Sequence, residues 1–143
     1  MEKVLDVHKI WAYAITGTIA FLEPLWVLML WFLIFVACDT ITGVSASIKE
    51  RQIITSNKLQ KTIKKLMLYS MTIVLVHAID MYMITLVELG LARICSAIIC
   101  GIELYSIFEN CYRLTGNRVF KVLTQFTLKK IEKETGVEIK DKE

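Results

Sequence analysis

Residues 25–48 read LWVLMLWFLIFVACDTITGVSASI, an apolar stretch that carries one carboxylate, Asp39, and ends in small residues. A hydrocarbon core needs about 20 consecutive apolar residues per helix, and this stretch is long enough to cross it. Hydrophobic residues make up 55% of the 143-residue chain, which is more apolar surface than a soluble domain of this size can bury. We therefore predict an integral membrane protein that places polar side chains inside the bilayer.

Two further apolar segments define the fold class. They cover residues 66–87 and 91–111, and the short connection between them makes them a tight antiparallel hairpin. The sequence predicts an all-α integral membrane helical bundle, with three transmembrane helices at about 25–48, 66–87 and 91–111 and with amphipathic helices at both termini. Residues 1–118 are expected to form the membrane domain.

Both ends of the chain have amphipathic patterns. Over residues 1–23 the polar side chains fall on one narrow stripe of a helix, so we expect an interfacial amphipathic helix that ends at Pro24. The alternative is an additional span over residues 10–22, which at 1.5 Å per residue reaches only about 20 Å. At the other end, residues 119–143 have apolar and charged positions at helical spacing, which indicates a cytoplasmic amphipathic tail.

A basic loop between the first two predicted spans indicates the orientation of the chain. Its cations are Lys49, Arg51, Lys58, Lys61, Lys64 and Lys65, and Glu50 is its only acidic residue. Cytoplasmic loops carry an excess of lysine and arginine, so this basic loop is expected in the cytoplasm. We do not expect it to bind nucleic acid, because it is flanked by spans and lacks interleaved aromatic residues. Anionic lipid explains its charge better.

Four ionisable side chains lie away from the ends of the predicted spans: Asp39, His77, Asp80 and Glu103. Each charged side chain at the centre of a membrane helix costs about 2.5–3.5 kcal/mol, so each needs a partner or water. One interpretation is that they hold the helices together, with Asp39 paired to Lys64 or Lys65. The other is that some of them line a water-filled path, within one subunit or between several. Glu103 is then the best candidate for a residue that lines it, because no cation lies near it in the sequence.

Small residues recur at a spacing of four in two of the predicted spans. Gly43 and Ser47 have this spacing in the first span, and Ala97 and Gly101 have it in the third. Such pairs lie on one face of a helix and let a neighbouring helix approach closely. The sequence therefore predicts close helix contacts at both places.

No pattern in the sequence indicates catalysis. It contains no P-loop, dinucleotide fingerprint, nucleophile elbow or metal-binding helix motif, and its acidic residues are scattered over three helices. The four cysteines, at positions 38, 95, 100 and 111, do not have metal-site spacing, and we interpret them as reduced packing residues. We expect no enzymatic activity, no cofactor and no metal site.

Three stretches occur in a specific order along the chain. They are DTITGVSASIKERQIITSNKLQKTIKKLMLY from Asp39, an aspartate late in the second apolar helix, and IELYSIFENCYRLTG from Ile102. Together they resemble the phage lysis and toxin-secretion holin family over residues 25–118. The positions of the family pattern fall here on Asp39, Thr42, Gly43, Ser56, Lys65, Asp80, Glu103, Ser106, Glu109 and Asn110. The chain lacks a glycine in NKLQKT, where many relatives have one.

The resemblance implies a homo-oligomer that accumulates in the bacterial cytoplasmic membrane and opens a lesion that lets an endolysin or a toxin out. Together with the polar residues inside the predicted spans, it leads us to expect an assembly or pore role for a set of intramembrane residues: Asp39, Gly43, His77, Asp80, Glu103, Ser106, Glu109 and Asn110. Two other functions stay open. One is a small ion channel or transporter that uses the acidic residues, and the other is a membrane scaffold that recruits a cytoplasmic partner.

Overall fold

The computed structural model describes residues 2–53, 56–82 and 90–137, with the side chains of residues 2–6, 57 and 58 left out of the description. The described residues form five α-helices: α1 (Glu2–Leu22), α2 (Trp26–Lys49), α3 (Ser56–Tyr82), α4 (Leu91–Thr115) and α5 (Arg118–Thr135). None of these residues lies in a strand. Three stretches are long and apolar enough to cross a membrane: Val7–Lys49, Leu59–Tyr82 and Leu91–Thr115. The predicted fold class, an all-α multi-pass membrane bundle, is confirmed.

The boundary between α1 and α2 lies where the proline predicts it. A single 3-10 turn, Glu23–Leu25, contains Pro24 and separates the two helices. Proline lacks a backbone donor, which interrupts the helical hydrogen-bond ladder but suits the first turn of a new helix. The side chains of α1 from residue 7 to residue 20 are exposed, and Phe21 is its link to the bundle, with its ring centroid 5.0 Å from that of His77.

The helix α3 begins about ten residues before the predicted second span, at Ser56 rather than residue 66. The stretch NKLQKT lies inside this helix, because lysine, leucine and glutamine favour helices and neither glycine nor proline occurs between Ser56 and Tyr82. Four of the six cations of the basic loop therefore lie on α3, namely Lys58, Lys61, Lys64 and Lys65, and Lys49 is the last residue of α2. Residues 83–87, the predicted end of this span, lie outside the described residues.

The helices α2, α3 and α4 pack around a small apolar core. Its buried members are Leu25, Phe32, Val36, Ile73, Ala92 and Ile99. Most other large apolar side chains point outward, for example Trp31 on α2 and Met67 on α3, both more than half exposed. Such surfaces suit acyl chains, which solvate apolar side chains as well as a protein interior does. The other buried positions of these helices include the polar residues Ser47, Ser96 and Glu103.

The last two helices form a hairpin. The chain leaves α4 through Gly116, whose φ of 68° lies in the left-handed region that glycine adopts readily. Asn117 then caps α5, because its side-chain oxygen accepts a hydrogen bond from Val119 N at 3.0 Å. The buried Ile131 of α5 packs over Gly101 of α4, where a Cβ atom would lie 3.3 Å from its side chain. The predicted C-terminal amphipathic helix thus packs along α4.

Candidate functional site

The centre of the candidate site is Glu103, whose side chain is 0% exposed. Both of its oxygens have partners on α3: Lys65 Nζ lies 2.7 Å from Oε2, and the Tyr69 hydroxyl donates to Oε1 at 2.9 Å. A buried carboxylate is tolerated only when it is paired and hydrogen-bonded, and Glu103 meets both conditions. The structure therefore places Glu103 inside the protomer, in contact with a cation.

Asp39 joins this cluster from α2. One of its oxygens accepts from Lys65 Nζ at 3.0 Å, and the other accepts from Asn110 Nδ2 at 3.1 Å. Of the two lysines expected as partners, Lys65 makes the contact, while Lys64 is exposed on the preceding position of the helix. The ammonium of Lys65 thus bridges two carboxylates and ties α2, α3 and α4 together. We call Asp39, Lys65, Tyr69, Glu103 and Asn110 the charged cluster.

Gly43 makes room for the charged cluster. A Cβ atom at this position would lie 3.3 Å from Asn110 Nδ2, so a larger side chain would push the amide away from Asp39. One turn further on, Ser47 is buried, and its hydroxyl donates to the Gly43 carbonyl at 2.9 Å. The small pair in the first span therefore permits the close approach of α2 and α4, as its spacing predicts.

An open cavity of about 420 Å³ adjoins the charged cluster. Its lining includes Asp39 and Asn110 together with Ser106, which is half-buried. Glu109 does not join it: its side chain is exposed, and it lines a separate groove between α4 and α5 that also contains Lys121. Of the family-pattern residues on α4, three therefore gather at one place and Glu109 lies elsewhere.

A second polar group lies near the ends of α2 and α4, and the sequence reasoning missed its partners. Arg113 binds Glu50 through two hydrogen bonds, with Nη2 at 2.6 Å from Oε2 and Nε at 2.9 Å from Oε1. Lys49 Nζ donates to the Leu114 carbonyl at 2.5 Å. Arg113 also reaches Asn110 Oδ1 at 3.3 Å, which connects this pair to the charged cluster. Asn110 and Arg113 are three residues apart on α4, and this spacing could have indicated that their side chains meet.

Tyr69 was also missed as a member of the cluster. It lies four residues after Lys65 on α3, so the two side chains share one face of the helix, and both reach Glu103. A phenol buried in a membrane helix needs a hydrogen-bond acceptor, and this requirement was the signal that could have found it.

Asp80 has a different role from the charged cluster. Its two oxygens accept from the first backbone amides of α4, Leu91 N at 3.0 Å and Ala92 N at 2.9 Å. These amides have no partner within their own helix, and the negative charge also favours the N-terminal end of the helix dipole. Gly90, with φ of 60°, turns the chain into this contact. Asp80 therefore fixes α4 against α3 at the far end of the bundle.

His77 lies one turn before Asp80 and is almost fully buried. Its ring packs on Phe21, and its Nε2 has no hydrogen-bond partner among the described residues. Both His77 and Asp80 line an open cavity of about 310 Å³ that Arg93 also borders. His77 and Asp80, which are three residues apart on α3, thus border the same cavity at this end of the bundle.

Three further residues of the basic loop have described side chains that lie away from the charged cluster. Lys61 and Lys64 are exposed on the first turns of α3, and Arg51 is exposed after the end of α2. Among the described residues, no group of three histidine, cysteine, aspartate or glutamate side chains comes together as a possible metal site. The charged cluster is a set of ion pairs with all partners in place, and it holds three helices together. Asp39 and Asn110 also line an open cavity, so one side of the cluster is accessible.

The comparison with known proteins gives the family of the chain. A family model described as the bacteriophage holin family matches residues 17–132. The matched range contains Leu59–Tyr82 and Leu91–Thr115 in full and most of Val7–Lys49, the three segments that are long enough to cross a membrane. No curated protein and no solved structure shows a significant match to the chain. Because the family match covers most of the sequence, the chain belongs to the bacteriophage holin family.

Proposed function

We propose that this protein is a non-enzymatic hole former of the bacterial cytoplasmic membrane, which assembles as a homo-oligomer and releases an endolysin or a toxin. Membership of the holin family and three membrane-crossing segments support this function. We place the basic loop and the anionic lipid that it would contact on the cytoplasmic side, following the excess of positive charge.

The observation that carries the proposal is the complete burial of Glu103 in a single protomer. With Lys65 and Tyr69 as partners, the charge of Glu103 is satisfied without water, so one copy can reside in lipid without exposing this carboxylate. Single copies can therefore accumulate in the membrane before a hole exists. A chain built as a permanent pore would instead direct its acidic side chains to a solvated passage.

The change to an open hole requires several copies. Three spans in one protomer cannot surround a passage wide enough for a protein, so the wall must come from repeated subunits. The cavity beside Asp39 is open and partly polar, which gives neighbouring copies a surface that can become hydrated without refolding of the spans. The apolar outer faces then remain toward lipid.

Reconstitution in vesicles tests the proposal. The full-length protein is incorporated at increasing density into vesicles of phosphatidylethanolamine and phosphatidylglycerol that contain a small dye and a fluorescent dextran. We expect both to escape above a threshold density, with oligomers recovered by cross-linking. Protein that stays monomeric at high density and releases neither probe would overturn the proposal. Selective, voltage-stable conductance without dextran release would indicate the ion-channel alternative instead.

A further inference from the structure

The helix α5 packs along α4, which is long enough to cross the membrane. The outer face of α5 is nevertheless charged. Ile131 packs on Gly101, while Lys121 at the start of α5 borders the same groove as Tyr112 near the end of α4. The two helices are therefore antiparallel, and α5 follows α4 back from Gly116 toward its beginning. An apolar groove of about 700 Å³ between them reaches Ile94.

The contact at Gly101 fixes how deep α5 reaches. Gly101 lies ten residues after the start of α4 and fourteen before its end, which at 1.5 Å per residue is about 15 Å and about 21 Å from the two ends. A hydrocarbon core is about 30 Å thick, so Ile131 sits near its middle when α4 crosses the membrane. The residues beside Ile131 on α5 share that depth.

The exposed face of α5 at this depth is strongly charged. Its exposed charged residues include Lys129, Lys130, Lys133 and Glu134. Lipid contact would cost about 2.5–3.5 kcal/mol for each charge near the centre of the bilayer. Acyl chains therefore cannot cover the outer face of α5 while it is packed on α4. Either water covers that face, or α5 leaves α4.

Several contacts hold α5 against α4 in the hairpin that the two helices form. Gly116 and Asn117 complete the turn with their own backbone and side-chain hydrogen bonds. Ile131 and Thr127 are buried against α4, and the missing side chain at Gly101 accommodates Ile131. Departure of α5 would expose the small-residue face of α4 and lose this packing. The contacts therefore favour the packed position, in which water must cover the charges.

We propose that α5 lines the water-filled interior of the assembled hole, with its lysine-rich face toward the lumen and its Ile131 face on α4. The inference rests on the proposed function and adds the identity of the lining element. It departs from the expectation of a cytoplasmic surface tail, which would place the same lysines at the headgroups. The lining is cationic, because lysines outnumber acids on the exposed face of α5.

A disulfide between α4 and α5 separates the two placements. In a background with the four native cysteines replaced by alanine, Gly101→Cys and Ile131→Cys are combined. The Cβ of residue 101 would lie 3.3 Å from Ile131 Cγ1, so the two new thiols are within reach of a bond. The matched control combines Gly101→Cys with Val122→Cys, since Val122 is exposed on α5 and cannot reach Gly101.

Dextran release is measured from vesicles with each variant, oxidised and reduced. If α5 lines the hole in its packed position, the bridged protein releases dextran as fast as its reduced form. Loss of release on oxidation, recovered by reductant and not seen in the control pair, would show that α5 must leave α4 and would overturn the inference. Absence of release from the reduced protein and the wild type would overturn the proposed function itself.

A second variant tests the charged face without a cross-link. Lys129→Leu, Lys130→Leu and Lys133→Leu together make the proposed lumen surface apolar, and Lys9→Leu makes the same type of change on α1, where Lys9 is exposed. With membrane incorporation matched, we expect release several-fold slower for the α5 variant and unchanged for the α1 variant. Equal rates for the two variants would contradict a lining role for α5.

Discussion

The ammonium of Lys65 lies 2.7 Å from Oε2 of Glu103, although the two residues are 38 positions apart in the chain. The carboxylate is fully excluded from solvent, whereas the lysine side chain is 30% exposed and also contacts Asp39. This single cation therefore neutralises part of the charge of two carboxylates on two other helices. The stability of the bundle in a membrane depends on it.

Replacing Lys65 should destabilise the protein strongly. Lys65→Met keeps the length and apolar stem of the side chain but leaves Glu103 buried without a cation, and breaking a buried pair in this way costs about 3 kcal/mol. The measurement is the thermal unfolding midpoint in detergent, followed by circular dichroism. Lys64→Met is the matched control, because Lys64 is exposed on the neighbouring position. Equal midpoints for both variants would show that the contact is not structural.

Removing only the charge of Glu103 should have a smaller effect. Glu103→Gln keeps acceptor capacity for Lys65 and Tyr69, so we expect a loss of about 1–2 kcal/mol in unfolding free energy, less than for Glu103→Ala. The weakened cluster should also change the protein density at which vesicles release dextran. Glu109→Gln, on the same helix and exposed, should leave both measurements unchanged. A change in ion selectivity without a change in assembly would support the channel alternative.

The cap at the start of α4 predicts a local effect. Asp80→Ala removes the acceptor of two backbone amides and should cost about 1 kcal/mol. Hydrogen exchange at Leu91 and Ala92 should accelerate, while exchange near Glu103 changes little. Asp80→Asn retains an acceptor oxygen and should lie between Asp80→Ala and the wild type. Protection at Leu91 that survives Asp80→Ala would contradict the cap.

Gly43 and Gly17 form a matched pair for testing helix approach. A Cβ at residue 43 would lie 3.3 Å from the Asn110 amide, whereas nothing lies within 4 Å of a Cβ at residue 17. Gly43→Val should therefore displace Asn110 from Asp39 and destabilise the bundle by about 1–3 kcal/mol. Gly17→Val should leave the unfolding midpoint within a few tenths of a kcal/mol of the wild type. Similar losses for both would mean that α2 and α4 tolerate separation.

Local patterns predicted the helices well, because each apolar segment is long and its ends carry clear signals. Pro24 marks the break before α2. The third span was predicted to end at residue 111, whereas α4 continues to Thr115 and ends at Gly116. The start of α3 was placed too late, since the lysines before residue 66 were interpreted as loop although they favour a helix. The lysines before residue 66 indicated where the membrane-embedded part of α3 begins. They did not indicate where the helix itself begins.

The partner of Glu103 could not be predicted, for a physical reason. A search for cations near Glu103 in the sequence cannot find Lys65, which reaches it only through the packing of α3 on α4. The pairing of Asp39 with a lysine at the start of the second span was predictable, because α2 and α3 are consecutive helices. The position of α5 was not, since an amphipathic pattern shows that a helix has an apolar face without showing what that face covers.

The two residues between α4 and α5, Gly116 and Asn117, set the rotation of α5 about its own axis. With 3.6 residues per turn, one inserted or deleted residue would rotate the helix by about 100° and replace Ile131 with a different side chain opposite Gly101. Natural variation in this connection should therefore preserve its length more strictly than its residue types. Chimeras that exchange the C-terminal helix between related chains should work only when the joint falls in the same register.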